Sequence, residues 1–315
     1  MDASYYDRFY RNLGEVMSLS PEDARGFIHG YSTGIDAFFE SYFERLPIAT
    51  MTTGTSSESG AESLFVKETN IGEGSSAIVM RNRDRPFAYK ERRREKSEPP
   101  KMYFKSIFNE IIIQTLLQND PTYGMYVCKI FKVFRKKDEY SIFIKMEQLT
   151  ETLEQRYRVI PSDKMYSSSE KLKKILIKLF TILIHFRDTY GFQHLDFHTG
   201  NIMIAPHEGD ILSNLKIIDF GLSKIEISDI TIPGGSGHKD GKTMMESMLD
   251  TIKDINHSFK TLLVTLQRLP SETPLETYRL AIVEETSPSG GKRRYRKQTK
   301  YRRHPKKKRT HKARK

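Results

Sequence analysis

His194-Leu195-Asp196-Phe197-His198-Thr199-Gly200-Asn201 is followed, eighteen residues after Asn201, by Asp219-Phe220-Gly221. Each segment adjoins an apolar run: Ile202-Met203-Ile204 directly after the first, Leu215-Lys216-Ile217-Ile218 directly before the second. Runs of that length read as short strands, which hold the polar segments in place. A bare Asp-x4-Asn is common by chance; the two segments together, each on its own strand, are far more specific. They supply a carboxylate, an amide and a second carboxylate, the types that phosphoryl transfer uses as one base and two metal ligands.

Upstream, Ile71-Gly72-Glu73-Gly74-Ser75-Ser76-Ala77-Ile78-Val79 puts glycines between two strand-like stretches. Glycine lets backbone amides approach a triphosphate closely, although a simple hairpin turn explains the same residues when they stand alone. Ala88-Tyr89-Lys90 ends an apolar stretch on a lysine. That lysine is costly if buried unpaired. It also opens the charged run Lys90-Glu91-Arg92-Arg93-Arg94, which a solvated strand end would explain.

In their order and spacing these segments resemble a protein-kinase catalytic domain, spanning about 64–270. The resemblance implies an α+β, two-lobed fold. A small antiparallel-sheet N-lobe would cover 64–148, and a reduced, mainly helical C-lobe 149–270. It implies ATP and Mg²⁺ as cofactors, with Asp196 as the base and Asn201 and Asp219 as magnesium ligands. Lys90 would hold the α- and β-phosphates and pair with Glu110, twenty residues on in the Phe104–Leu117 helix. Gly72, Gly74 and Ala77 would surround the phosphates, with Ala77 in place of the third glycine. Ile71, Val79 and Ala88 would roof the adenine and Met203 would floor it. Met146 would be the gatekeeper, with the Glu147 carbonyl and Leu149 amide on the adenine edge. The apolar members of this set would be core in any fold and rest on the resemblance alone.

Three departures bear on the acceptor. Leu195 occupies the place of an arginine that commonly receives an activation-loop phosphate, which speaks against activation by that route. His198 stands where Ser/Thr kinases carry a lysine near the transferred phosphate, and its charge depends on pH near neutrality. The pattern is also similar to atypical protein kinases and to aminoglycoside or choline phosphotransferases. His194 and His198 have a spacing that can bind zinc, but Asp196 is the only other donor between them, so His194 reads as support for the loop. Finally, no Ala-Pro-Glu follows Asp219-Phe220-Gly221. Ile232-Pro233-Gly234-Gly235-Ser236-Gly237 reads as a flexible segment. One helix is expected near 243–268, with Asp254 anchoring it to the catalytic loop. The expected activity is transfer to a protein Ser or Thr hydroxyl. The alternatives are a small-molecule phosphotransferase and a pseudokinase scaffold with a nucleic-acid-binding tail.

The chain of 315 residues can bury a sizeable core, and its single cysteine, Cys128, precludes an intrachain disulfide and suggests a reducing compartment. The start at Met1-Asp2, with alternating aromatics and charges, does not read as a signal peptide. The most apolar run, Ile175 to Phe186, is too short for a bilayer and contains Lys178. These features suggest a soluble intracellular protein, nuclear or cytoplasmic, without a membrane partner; they leave oligomeric state open.

The net charge of +12 is uneven: fifteen Lys and Arg lie in 292–315, leaving 37 basic against 40 acidic residues elsewhere. That tail lacks the apolar residues to fold and reads as disordered. Pro305-Lys306-Lys307-Lys308-Arg309 resembles a nuclear-import signal, and basic runs bind nucleic acid through counterion release. A plain solubilising polycation is the simplest reading. A basic tail on a reduced C-lobe also resembles proteins of large DNA viruses. Residues 1–48 read as helical, with Ser20 as a cap and Ile35, Phe38, Phe39 and Tyr42 on one helix face. They form either an appendage on the main domain or a partner-binding module. Residues 49–63 and 271–291 read as linkers.

Overall fold

The computed structural model describes residues 3–31, 36–52, 63–65, 68–73, 77–82, 86–95, 97–136, 140–158, 165–206, 209–227, 230–235, 239–251 and 257–286. Gly74, Asp254 and the tail 292–315 lie outside the described residues, and for Ile71 and Gly72 only the backbone is described.

Three helices lead the chain: α1 (Ala3–Met17), α2 (Pro21–Tyr31) and α3 (Asp36–Arg45). Ser20 caps α2, its Oγ accepting the Asp23 amide at 3.0 Å, and Pro21 takes the first helical position, where no backbone donor is needed. The expected linker at 49–63 carries paired backbone at both ends, because β1 (Thr50–Thr52) runs parallel to β2 (Ser63–Phe65).

The sheet of the N-lobe has five antiparallel strands: β3 (Glu68–Glu73), β4 (Ala77–Asn82), β5 (Phe87–Arg93), β6 (Ile130–Arg135) and β7 (Ser141–Glu147), in the order β3-β4-β5-β7-β6. Strand β5 is central, and Ala88 to Arg92 are buried in succession. Lys90-Glu91-Arg92 is therefore an interior segment and not a solvated run. Glu91 is satisfied there by the Ser141 hydroxyl at 3.0 Å.

Between β5 and β6 runs α4 (Pro100–Gln118), in which every residue from Ile107 to Leu117 is buried. A helix buried all round needs neighbours on every side. The sheet covers one side and the N-terminal helices another. Phe27 and Phe39 lie 5.1 and 6.0 Å from the Phe108 ring, and Phe43 lies 5.3 Å from Phe104.

The second lobe contains β8 (Glu151–Thr152), α5 (Leu153–Arg158), α6 (Met165–Tyr190), β9 (Ile202–Ile204) and β10 (Leu215–Ile217), with β8, β9 and β10 in one small sheet. Helix α6 stops at Gly191, whose φ of +58° and close approach to the Glu226 carbonyl leave no room for a side chain. An antiparallel hairpin of β11 (Ile225–Ile227) and β12 (Ile230–Ile232) precedes the segment expected to be flexible and shares Ile232 with it. Its alternate isoleucines are buried, which explains the pairing.

Instead of one helix near 243–268 there are two, α7 (Asp240–Thr251) and α8 (His257–Gln267). Met248 and Phe259 are eleven residues apart, in phase for one continuous helix, so periodicity alone merges them. The expected linker at 271–291 contains α9 (Leu275–Thr286), which buries Tyr278 and Ile282 against α6. The C-lobe is thus less abbreviated than the sequence suggests. The whole is the two-lobed α+β architecture. Among the described residues, no helix is long and apolar enough to cross a membrane.

Candidate active site

Lys90 on β5 and Glu110 on α4 meet inside the N-lobe, with Nζ 2.6 Å from Oε1. The same ammonium lies 3.3 Å from Asp219 Oδ1, so one cation joins the sheet, α4 and the Asp219-Phe220-Gly221 turn. Burial acts to strip Lys90 of its proton, but the carboxylates of Asp219 and Glu110 outweigh it and raise its pKa. The Lys90 charge in turn holds Asp219 below the ordinary carboxylate range.

The polar loop before β9 is held from behind. Leu195 and Asp219 have φ of 65° and 61°, a left-handed backbone that costs a non-glycine residue about 1–2 kcal/mol. Asp240, in the first turn of α7, accepts the amides of Leu195 at 2.7 Å and His194 at 3.0 Å. His194 Nε2 donates to the Ile218 carbonyl at 3.0 Å, and Ser223 Oγ donates to the His194 carbonyl at 3.1 Å. That commitment of Nε2 fits support of the loop, not zinc ligation. Burial raises the Asp240 pKa, opposed by His194 and the two amides. Asp254, expected to anchor the loop, lies outside the described residues, and Asp240 makes that contact. Asp240→Asn keeps one acceptor and sets an amide NH₂ against the second backbone N–H. The melting temperature is expected to fall by the equivalent of about 1–3 kcal/mol, checked by thermal denaturation.

At the loop's front, Asn201 Nδ2 donates to the Asp196 carbonyl at 2.9 Å and to its carboxylate at 3.1 Å. This fixes the amide plane. Asn201 Oδ1 accepts no hydrogen bond among the described residues, and the Asp219 side chain is 42% exposed. Hard oxygen donors of this kind fit Mg²⁺, which retains water and phosphate ligands beside one or two protein oxygens. His198 Nε2 lies 3.6 Å from Asp196 Oδ2, and the Gly200 amide donates to His198 Nδ1 at 3.1 Å. The His198 contact is the main reason Asp196 stays below the ordinary carboxylate range. Protonating His198 gives up the Gly200 contact, yet attraction to Asp196 dominates and raises the histidine pKa.

Between the lobes lies a cleft whose cavity volume is about 150 Å³, smaller than the usual small-molecule site. Of the expected nucleotide residues, Ala77, Val79, Ala88, Lys90, Met146, Glu147, Leu149 and Met203 line it, with Glu110 and Asp219. Ile218 also lines it and was not anticipated. Its neighbour Asp219 dominates the reading of that segment, although a residue directly before the turn was a natural candidate. Strands β3 and β4 register Gly72 opposite Val79, with an irregularity after Asn70, so the backbone around the glycine loop is strand-paired. The Glu147 carbonyl accepts from the Cys128 thiol at 3.8 Å, a weak contact. Leu195, in the arginine position, packs on the segment after β12. A Cβ on Gly234 would lie 2.5 Å from Leu195 Cδ1 and 2.9 Å from the Leu222 carbonyl, so glycine permits the approach.

The family model described as the protein kinase domain matches residues 65–234. Comparison with curated proteins gives no match.

Proposed function

Because the chain belongs to the protein-kinase family, we propose that it transfers the γ-phosphate of ATP, with Mg²⁺, to a serine or threonine hydroxyl of a protein. Kinase-type phosphotransfer is the activity of the family; the nucleotide, the metal and the acceptor are our reading of this site. The observation that carries it is the Lys90 ammonium, within 3.3 Å of both Glu110 and Asp219 at the wall of the interlobe cleft. A pseudokinase has no need of this complete charge set.

In this reading Lys90 orients the α- and β-phosphates, and Asn201 and Asp219 hold Mg²⁺, which neutralises developing phosphate charge. Asp196 accepts the proton of the attacking hydroxyl, its carboxylate kept ionised by His198. Ala77, Val79, Ala88 and Met203 sandwich the adenine, Met146 closes the back, and Glu147 and Leu149 offer backbone groups to its edge. Gly72 and Gly74 would let the loop backbone approach the phosphates, and Ile71 would complete the roof.

The test offers Mg-ATP to wild type and Asp219→Asn with casein, histone, basic peptides and aminoglycosides as acceptors. Label on Ser or Thr of protein is the expected result. Label on aminoglycoside alone would favour the small-molecule reading, for which His198 in the lysine position speaks. ATP binding without transfer to any acceptor would sink the enzyme reading. Deleting 292–315 is the matching test for the tail. Salt-sensitive nucleic-acid binding or import-receptor binding is expected to vanish while transfer persists.

A pH profile probes His198. Its imidazolium can donate to a phosphate oxygen, and its pKa lies above the ordinary value of about 6.5. Activity is therefore expected to be full below that raised pKa, down to the point where Asp196 takes up a proton, and to fall as pH rises through it. In His198→Lys the descending limb should move to higher pH, because lysine keeps its charge. Superimposable profiles would exclude a charged role for His198.

A further inference from the structure

The helix that carries Glu110 is gripped from outside the kinase lobes. Tyr31, the last residue of α2, is 4% exposed and donates its hydroxyl to Asn109 Oδ1. Asn109 precedes Glu110, is 2% exposed, and donates from Nδ2 to the Pro233 carbonyl at 3.1 Å. One buried side-chain amide therefore ties three separate parts of the chain: the N-terminal helices, α4 and the segment after β12. The amide is used at both ends, so it cannot flip without losing both contacts.

A second grip holds the other end of α4. Tyr5 OH donates to the Leu116 carbonyl at 3.0 Å, and Asn12 Nδ2 donates to Asn119 Oδ1. Between the grips, the rings of Phe27 and Phe39 close on Phe108. Leu195 has no charge with which to capture a phosphate on the segment that Pro233 belongs to. The described contacts provide an alternative that needs no added group.

We propose that Tyr31 and Asn109 are positioning residues for phosphotransfer, holding Glu110 against Lys90 and fastening the Ile230–Gly235 segment to α4. The role rests on the phosphotransferase reading above. It makes the 3–45 helices a built-in brace for the active arrangement. Without the Tyr31 hydroxyl, Asn109 Oδ1 is left buried and unpaired, a condition relieved by turning the amide away from Pro233.

The test uses the full chain with Tyr31→Phe, which keeps the ring in place, Asn109→Ala, and the double variant. Initial rates with Mg-ATP and a protein acceptor are measured beside amide hydrogen exchange and thermal melts. Tyr31→Phe is expected to lower kcat about three- to tenfold, with the KM for ATP changed less than about twofold. The double variant should be no slower than Asn109→Ala alone, because both act through one amide. Exchange at 230–235 should rise in Tyr31→Phe, although among the described residues the Tyr31 hydroxyl is bonded only to α4, at Asn109 and the Lys105 carbonyl. Unchanged exchange there, or rate losses that multiply in the double variant, would overturn the proposal. A wild type that transfers no phosphate would defeat the phosphotransferase reading, while exchange at 230–235 would still decide the brace.

Discussion

Asp219→Asn is expected to lower phosphotransfer about 10²–10³-fold while leaving the melting temperature nearly unchanged. The charge of Asp219 is secured by Lys90 at 3.3 Å, which keeps the carboxylate ionised throughout the neutral range. Asparagine retains the shape and, like aspartate, tolerates the left-handed backbone at φ 61°, which alanine tolerates less well. What is lost is the anionic donor proposed for the metal, together with one of the two charges facing Lys90. Glu110 stays in place at 2.6 Å, so the buried lysine keeps a partner and the fold keeps its stability. Initial rates at saturating Mg-ATP, with a melt of the same preparation, check both halves. Transfer within twofold of wild type would remove Asp219 from the metal site.

How much of this site the sequence discloses depends on how local each contact is. Asp196, Asn201 and Asp219 lie in segments that adjoin short strands whose apolar runs are readable, and Lys90 with Glu110 is recognisable by motif and spacing. Lys90, Glu110 and Asp219 line one cleft, and Asn201 meets Asp196 within the loop before β9. Asp240 does not announce itself. It lies 46 residues beyond His194, and its acceptors' partners are backbone amides, which carry no sequence signal. Asp254, fourteen residues further along the sequence, was an equally reasonable acidic candidate. The Tyr31–Asn109 contact is nonlocal in the same way, spanning 78 residues, although the apolar face of the N-terminal helices did suggest packing on the main domain.

The misjudged elements have physical explanations too. Ser, Pro and Gly at 287–291 drew the neighbouring residues into a linker, yet Leu275, Tyr278 and Ile282 have helical spacing after Pro274. Tyr278 lies 5.9 Å from Phe180, so burial of one large ring on α6 decides the outcome. Taken singly, Lys90-Glu91-Arg92 reads as solvated, because three adjacent charges seldom share an interior, and only the motif around it points the other way. Pairing with Glu110 and the Ser141 hydroxyl removes the objection for the first two.

Lys90→Met carries the largest combined penalty, because the same ammonium serves the fold and the site. Glu110 is 1% exposed, and removing its partner leaves a buried, uncompensated carboxylate, a loss of about 3–5 kcal/mol. Phosphotransfer should fall about 10²–10³-fold as well, since the preorganised donor proposed for the phosphates is gone. The two effects can be separated by a second substitution. In Lys90→Met with Glu110→Leu no buried charge remains unpaired, and apolar replacement of an ion pair is often neutral or stabilising. The double variant should therefore melt near wild type and still transfer no phosphate at a measurable rate. Recovery of activity together with stability would show that Lys90 acts only as a structural counter-ion to Glu110. A double variant as unstable as Lys90→Met would show that the cost lies in lost packing along the lysine stem, not in the stranded carboxylate. The expected pattern, restored melting without restored transfer, assigns the charge of Lys90 to the reaction and its pairing to the fold.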